Sequence, residues 1–293
     1  MVIAHILSVD VERWSDATLL AGRVERRVGQ PLVQAQTERV LALLAHAGVH
    51  ATFFVLGEVA QDNPQLVRTI AEAGHEVGCH GWTHDLLADL GAARLRSDLE
   101  RARRTLQDLS GQAVTAFRAP TWSLDRRVPW APEVISEVGF ELDMSIFDGR
   151  HGIYGEPVAS GRPFRLITAA ADLLEVPTSV RTWSGLRAGG GFYWRTLPRG
   201  VVRDAYLSKR HPAVGYIHPW EVGPAAYTLP AGLEPGARLT MTAGIDRFAQ
   251  KLDWLLRAVP WRPAREVVSS EEAAQWPRLR LTARGLGPAE EAD

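Results

Sequence analysis

The stretch from residue 51 to residue 84, ATFFVLGEVAQDNPQLVRTIAEAGHEVGCHGWTH, decides the architecture. Ala51 to Val55 and Glu76 to Cys79 are short runs between turn signals, so both read as buried strands. Between them Asn63 stands as a helix cap, Pro64 as the first helical residue and Gly74 as the stop. Strand, helix, strand in this order forms a βαβ unit with parallel strands. The alternation continues outward. Upstream lie a strand at Val2 to Val9 and a helix over Leu32 to Ala45 closed by Gly48. Downstream, an amphipathic helix from about Ala92 to Leu109 leads to a strand at Thr115 to Arg118. A helix near Glu133 to Val138 then leads to a strand at Glu141 to Ser145. No Gly-x-Gly-x-x-Gly follows the first strand, and Gly189 to Gly191 is a bare glycine run, so the pattern predicts a βα barrel over a dinucleotide-binding sheet.

After Asp148 the pattern loosens through a Gly/Pro-rich region, Gly149 to Pro163. Apolar segments return at Leu173 to Val176 and Val214 to Ile217. Helical patterns cover Leu197 to Ser208 and Ile245 to Val259, and Ser269 with Glu272 has the spacing of a capping box. The expectation is one α/β domain over residues 1–280, elaborated from about residue 150, with a frayed tail at 281–293. Its 293 residues, 46% of them hydrophobic, are enough for a packed core without staples. Basic residues number 33 against 34 acidic ones, so no electrostatic footprint for nucleic acid or anionic lipid is expected. A single cysteine, Cys79, excludes intramolecular disulfides and cysteine-rich zinc modules. The opening MVIAHILSVD has neither a basic n-region nor a bilayer-length apolar run, so the expected location is cytoplasmic, with no transmembrane segment.

Polar residues follow directly on the strands: Asp10 and Glu12, His80 and His84, Arg118, Asp143, and His218. In a parallel βα fold the C-terminal strand ends share one face, so these side chains converge. His80 and His84 in HGWTH follow a strand end at a spacing that lets two neutral imidazoles hold one zinc-like ion. His46 and His50 share that spacing, but Gly48 ends a helix between them and they are not expected to share a face. Asp10 and Glu12, two residues apart, point to the same side of a strand. One can ligate metal while the other takes a proton from an activated water. Arg118 can form a bidentate pair with a carboxylate, His218 can protonate a leaving amine, and Asp143 can orient that imidazole. Trp122, Trp220 and Phe147 are candidates to line a sugar-sized groove.

With these residues on the page, the sequence resembles the NodB-homology polysaccharide deacetylases, carbohydrate esterase family four, most of all the branch tied to bacterial exopolysaccharide biosynthesis. The matching segments are SVDVE, ATFFVLGEVA, AGHEVGCHGWTH, FRAPTWSL, DMSIF, LLEVPTS, GGGFYWRTLP and GYIHPWEVGP, in family order from about Ile6 to Pro224. The resemblance implies a distorted (β/α) barrel of about seven parallel strands that removes acetyl groups from N-acetylhexosamine units of a polysaccharide or its precursor. It also implies Asp10 as general base, with Glu12, His80 and His84 as ligands of a divalent metal, zinc before others. Arg118 would hold Asp10, Asp143 would tune the acid His218, and a backbone N–H near Thr121 would hold the oxyanion. Trp122 would pack along the site wall. There are departures: Val11 occupies the usual position of the ligating aspartate, Arg13 stands where the branch carries an aspartate, and Met144 replaces one of two serines. Two other readings accompany this one: an allantoinase-type hydrolase of a small cyclic amide working without metal, and a non-catalytic glycan-binding relative. The sugar and the oligomeric state stay open.

Overall fold

A computed structural model describes residues 3–149, 154–158, 160–222 and 227–289. Among these residues one sheet contains β1 (His5–Val11), β2 (Thr52–Val55), β3 (Glu76–Cys79), β4 (Ala116–Phe117), β5 (Leu142–Asp143), β6 (Phe164–Leu166), β7 (Leu173–Glu175), β8 (Val214–Ile217), β9 (Trp261–Arg262), β10 (Arg278–Thr282) and β11 (Gly285–Pro288). Its order is β11-β10-β6-β7-β5-β4-β3-β2-β1-β8, with β9 beside the start of β1. The run from β7 through β5, β4, β3, β2 and β1 to β8 is parallel. β1 is buried along its whole length because it is paired on both edges and covered on both faces. Register pairs Asp10 with Phe54, Val55 with Cys79 and Phe117 with Asp143, so the strand ends finish together at one rim.

The expected α/β fold with about seven parallel strands is borne out by the run β7-β5-β4-β3-β2-β1-β8, and only its closure is corrected: the sheet is open. β8 and β11 are its two ends. β4 and β5 are two residues long, and beyond them the chain folds into antiparallel pairs, β6 with β7 and β10 with β11. Closing a barrel needs tilted strands with a continuous stagger, which such short strands do not supply. The expected frayed tail is also corrected up to Pro288. β10 adds parallel to β6, β11 folds back on it, and Leu281 is buried.

Helices cover the sheet through apolar stripes at helical spacing. Gln30–Ala47 buries Val33, Val40 and Leu44; Ala92–Ser110 buries Leu95, Leu99, Ala102 and Leu106; Ile245–Ala258 buries Phe248, Leu252 and Leu255. Each such side chain contributes about 1.5–3 kcal/mol of burial, so Leu99→Ala alone costs about 2–5 kcal/mol. Gly48 and Gly111 end the first two helices in the left-handed conformation. Asn63 departs from expectation. Its amide donates to the Val59 carbonyl of the preceding turn and makes no cap bond to the helix Pro64–Glu72. Ser269 does cap, accepting from the Glu272 N–H at 3.2 Å. His46 is exposed near Asp253 while His50 packs edge-on against His75, so the two do not form a pair.

Candidate metal and acid–base site

Asp10 sits one residue from the end of β1, and Arg118 follows β4. The Arg118 Nη1 donates to Asp10 Oδ1 at 2.6 Å and to Ser8 Oγ at 2.7 Å, while its Nε donates to the Met144 carbonyl at 3.2 Å. Phe54 lies under the guanidinium at 4.5 Å. The contact with Asp10 is through one nitrogen, Nη1, which it shares with Ser8, and not through the bidentate fork expected from sequence. Nη2 has no hydrogen-bond partner among the described residues. Arg118 is fully buried and Asp10 nearly so, so neither charge is tolerable without the other.

Glu12 lies just past the end of β1, and its side chain reaches both histidines. Oε2 is 2.7 Å from His84 Nε2 and 3.8 Å from His80 Nε2. One ligand atom from each of Glu12, His80 and His84 falls within 4.8 Å of the others, and all three residues are buried. Val11, at the position expected for a ligating aspartate, instead belongs to the apolar core. His80 Nδ1 donates to the Arg118 carbonyl at 2.8 Å, so Nε2 is the ring nitrogen that faces Glu12. Burial pushes Glu12 up, but the charges of His84 and His218 and bonds from His80 and His84 outweigh it, holding the carboxylate well below its usual range. His84 goes the other way: burial lowers it, and Glu12 raises it further than burial can offset. Two imidazoles and an anionic carboxylate with open space beside them fit a divalent cation with a free coordination position.

His218 follows β8, and here the structure corrects the assignment of Asp143. The imidazole Nδ1 bonds Glu221 Oε2 at 2.9 Å, and the His218 N–H reaches the same oxygen at 2.9 Å. Glu221 Oε1 accepts from Arg195 Nε at 2.8 Å, and the other Arg195 nitrogens donate to the carbonyls of Ala243 and Thr240. β5 and β8 stand at opposite ends of the run β5-β4-β3-β2-β1-β8, so Asp143 is remote in pairing order from His218. Asp143 Oδ1 instead accepts from Ser145 Oγ, and its carboxyl is buried beside that of Glu175, its register partner on β7. Burial raises Asp143 to about 6, against bonds from Glu175 and Ser145 that lower it. Burial and the Asp143 charge push Glu175 well above its usual range. Burial lowers His218, but Glu12 and Glu221 raise it to about 9, so it is a cation at neutral pH. Sequence reasoning missed Glu221. Its signal was the spacing in HPWE, where an acid three residues after the imidazole can reach back over one turn.

Asp10, Glu12, His80, His84, Arg118, His218 and Glu221 line one cavity of about 370 Å³, and Asp143 does not. Trp220 stacks on His218 at 5.2 Å between ring centres and donates from Nε1 to Glu12 Oε1 at 3.3 Å. Trp122 lines another wall with Tyr216, their ring centres 4.4 Å apart. Phe147 is corrected from groove wall to support: it is buried behind Trp122 and does not line the cavity. Thr121 and Trp122 carry φ of 56° and 48°, uncommon for residues with side chains and costly by about 1 kcal/mol or more each. A hydroxyl contact from Thr18 to Thr121 ties down this turn. The amides of Trp122 and Ser123 donate to the Ala119 and Pro120 carbonyls, leaving the Thr121 amide as the donor this turn can offer a ligand. Tyr154, Phe192 and Tyr193 complete the aromatic lining and were not foreseen. Arg13 stays out of the cavity, its charge matched by Asp16 at 2.8 Å and by Glu58.

Residues 29–141 match the polysaccharide deacetylase family, and residues 144–269 match DUF3473, a domain of unknown function. Over 136 residues the chain is 35% identical to a chitooligosaccharide deacetylase of Sinorhizobium fredii, covering 45% of this chain and 63% of that protein. It is also 35% identical over 98 residues to a peptidoglycan-N-acetylglucosamine deacetylase of Bacillus cereus, covering 33% and 36%. The chain thus spans less than two thirds of the length of these relatives. In fold it is similar to a polysaccharide deacetylase structure from Mycobacterium smegmatis, described there as putative, with TM-score 0.60 and 21% identity over 93% of this chain and 90% of that one. It is also similar to a CE4 family pseudoenzyme from Bacillus anthracis, with TM-score 0.51 and 16% identity over 91% and 65%. Residues 29–141 thus form a polysaccharide deacetylase domain of the NodB, carbohydrate esterase four kind, followed by a DUF3473 region over residues 144–269.

Proposed function

We propose that this protein is a metal-dependent hydrolase that removes acetyl groups from N-acetylhexosamine units of a polysaccharide or its precursor. The observation that carries the reading is the meeting, in one cavity, of an arginine-held carboxylate, a two-histidine carboxylate trio and an imidazole bonded to Glu221. Glu12, His80 and His84 would hold the cation, which when bound makes a water acidic and polarises a carbonyl. Asp10, aimed by Arg118, accepts the proton of the attacking water. The Thr121 amide meets the oxyanion of the tetrahedral intermediate. His218, held as a cation by Glu221, delivers its Nε2 proton to the departing sugar amine, and acetate leaves with the former water oxygen. Trp122, Tyr216 and Trp220 offer faces on which a sugar ring can lie.

The test is acetate release from a panel of N-acetylated oligosaccharides, with and without added divalent ions. Release that needs the ion is the expected result. Full turnover of a small cyclic amide by metal-free protein would replace this reading with an allantoinase-type one, and glycan binding with no acetate released would make the protein a lectin-like relative.

Three finer assignments go with the proposal. Zinc is the ion, because nitrogen, nitrogen and oxygen donors with an open position suit it. The pathway is exopolysaccharide synthesis, supported by the DUF3473 region. The location is the cytoplasm, on a glycan precursor. Its support is a lone buried thiol, Cys79, which burial pushes up to about 12 and which has no disulfide partner. Among the described residues no helix is long and apolar enough to cross a membrane. Cell fractionation tests the location, with recovery outside the cell as the contrary result.

A further inference from the structure

A second cavity, of about 570 Å³, shares Arg195 with the first and opens where three helices meet: the end of Gly191–Thr196 and the beginnings of Arg199–Leu207 and Ile245–Ala258. Arg199, Arg247 and Lys251 line it, and no carboxylate does. That imbalance is local. Nearby Arg203 is paired with Asp204 and Arg257 with Asp253, as surface cations usually are. Among the described residues Arg199 and Arg247 form no ion pair, and the Arg199 guanidinium is steadied over the Trp254 ring at 4.7 Å. Asp246 stands on the first turn of the third helix but outside the cavity lining.

Lys251 is the half-buried member. Its ammonium donates to the carbonyls of Arg195 and Leu197, capping the end of the short helix, and has one of its three N–H groups left. Burial alone pulls it down to about 8, with no carboxylate close enough to push it back. The N-caps of the two longer helices, Pro198 and Gly244, also line the cavity, and neither helix has a side-chain cap. Their first N–H groups and positive dipole ends therefore add to the same positive field. A single carboxylate cannot balance three cations, whereas a phosphoryl group brings more charge and several acceptor oxygens, the geometry for which arginine forks are suited.

We infer that this cavity binds a phosphoryl anion, a monophosphate or diphosphate group. The inference does not depend on the deacetylase reading, because none of Arg199, Arg247 or Lys251 touches the acid–base groups. Inorganic diphosphate is titrated into the full chain by calorimetry at low and physiological salt. The expected result is saturable, salt-sensitive binding that Arg199→Glu and Arg247→Glu each weaken by about tenfold or more. Arg68→Glu, on the remote helix Pro64–Glu72, is expected to leave it unchanged. Circular dichroism confirms the fold of each variant, and Arg247→Gln serves if the charge reversal perturbs it. In a second arm the protein is floated with phosphatidylcholine vesicles with and without phosphatidic acid. Adsorption to phosphatidic acid that Arg247→Glu abolishes assigns the group to a lipid headgroup, and diphosphate binding without adsorption assigns it to a soluble ester. Absence of saturation by about 10 mM diphosphate, or equal weakening by Arg68→Glu, would overturn the inference.

Discussion

Glu221→Gln removes one negative charge from beneath His218 while keeping the side chain's size and an acceptor oxygen. In the intact protein burial works against a charged imidazole, and Glu12 and Glu221 overcome it, lifting His218 to about 9. A cation bound by Glu12 would offset that carboxylate, leaving Glu221, at 2.9 Å from Nδ1, as the anion that keeps the ring protonated. A hydrogen bond between charged partners contributes about 1.5–3 kcal/mol, equivalent to roughly one to two pKa units. A general acid acts in its protonated form, so lowering its pKa brings the alkaline fall of kcat to lower pH by that amount. Turnover at the plateau should drop roughly 10–100-fold, the usual scale for a lost orienting partner, with KM little changed. Arg195 loses its buried counter-ion in this variant, so stability falls by about 3 kcal/mol and the profile is taken at 25 °C on protein shown to be folded.

The assay is a pH profile of acetate release for the wild type, Glu221→Gln and Asp143→Asn. Glu221→Gln should move the alkaline limb, and Asp143→Asn should leave it in place. A stability profile of metal-free protein gives an independent reading. The folded pKa of His218 is above the unfolded value of 6.5, so its contribution is complete below pH 6.5 and disappears as pH rises toward 9. That slope should flatten in Glu221→Gln. An unmoved alkaline limb in Glu221→Gln, or an equal movement in Asp143→Asn, would refute the assignment of Glu221 as the partner of the acid.

His84→Ala should abolish stoichiometric zinc uptake in equilibrium dialysis and acetate release along with it, because the remaining His80 and Glu12 make an incomplete donor set. Asp10→Asn should lower turnover by about 10²-fold or more while leaving metal content unchanged, since Asp10 is paired to Arg118 and lies outside the ligand trio; wild-type rates would exclude it as base. Arg118→Leu should destabilise the fold by about 3–5 kcal/mol in denaturant melts, because it strands a buried carboxylate. Glu175→Gln can keep the bond from the Ile146 N–H while removing one of two adjacent buried carboxyls. Both carboxyl pKa values are raised on folding, so the pair's favourable contribution is present below about pH 4 and lost as pH rises through about 6. The variant should therefore gain stability over wild type at pH 8 and not at pH 4 in denaturant melts; an equal difference at both would contradict a raised carboxyl pair.

What could be read from sequence divides along a physical line. Asp10, His80, Arg118 and His218 were legible because parallel strands in register force their last residues to one rim, whatever lies between them. The open sheet was not legible, because closure depends on how far two-residue strands such as β4 and β5 extend their pairing, and apolar runs overstate that length. Asp143 also reaches the rim, as the last residue of β5, but four strands stand between β5 and β8 in the sheet. In the open sheet His218 takes a partner from its own chain segment, three residues on, at far lower cost in ordered backbone. Tyr154, Phe192 and Tyr193 come from segments after residue 149 that lack strand or helix periodicity in sequence, so no face could be assigned to them. In the proposed reaction the acid, base and metal-holding groups thus sit at register-fixed strand ends, whereas much of the aromatic lining comes from loops and short helices beyond β5. Substitutions at Tyr154 or Phe192 should accordingly change which glycan is accepted before they change how fast an accepted one turns over.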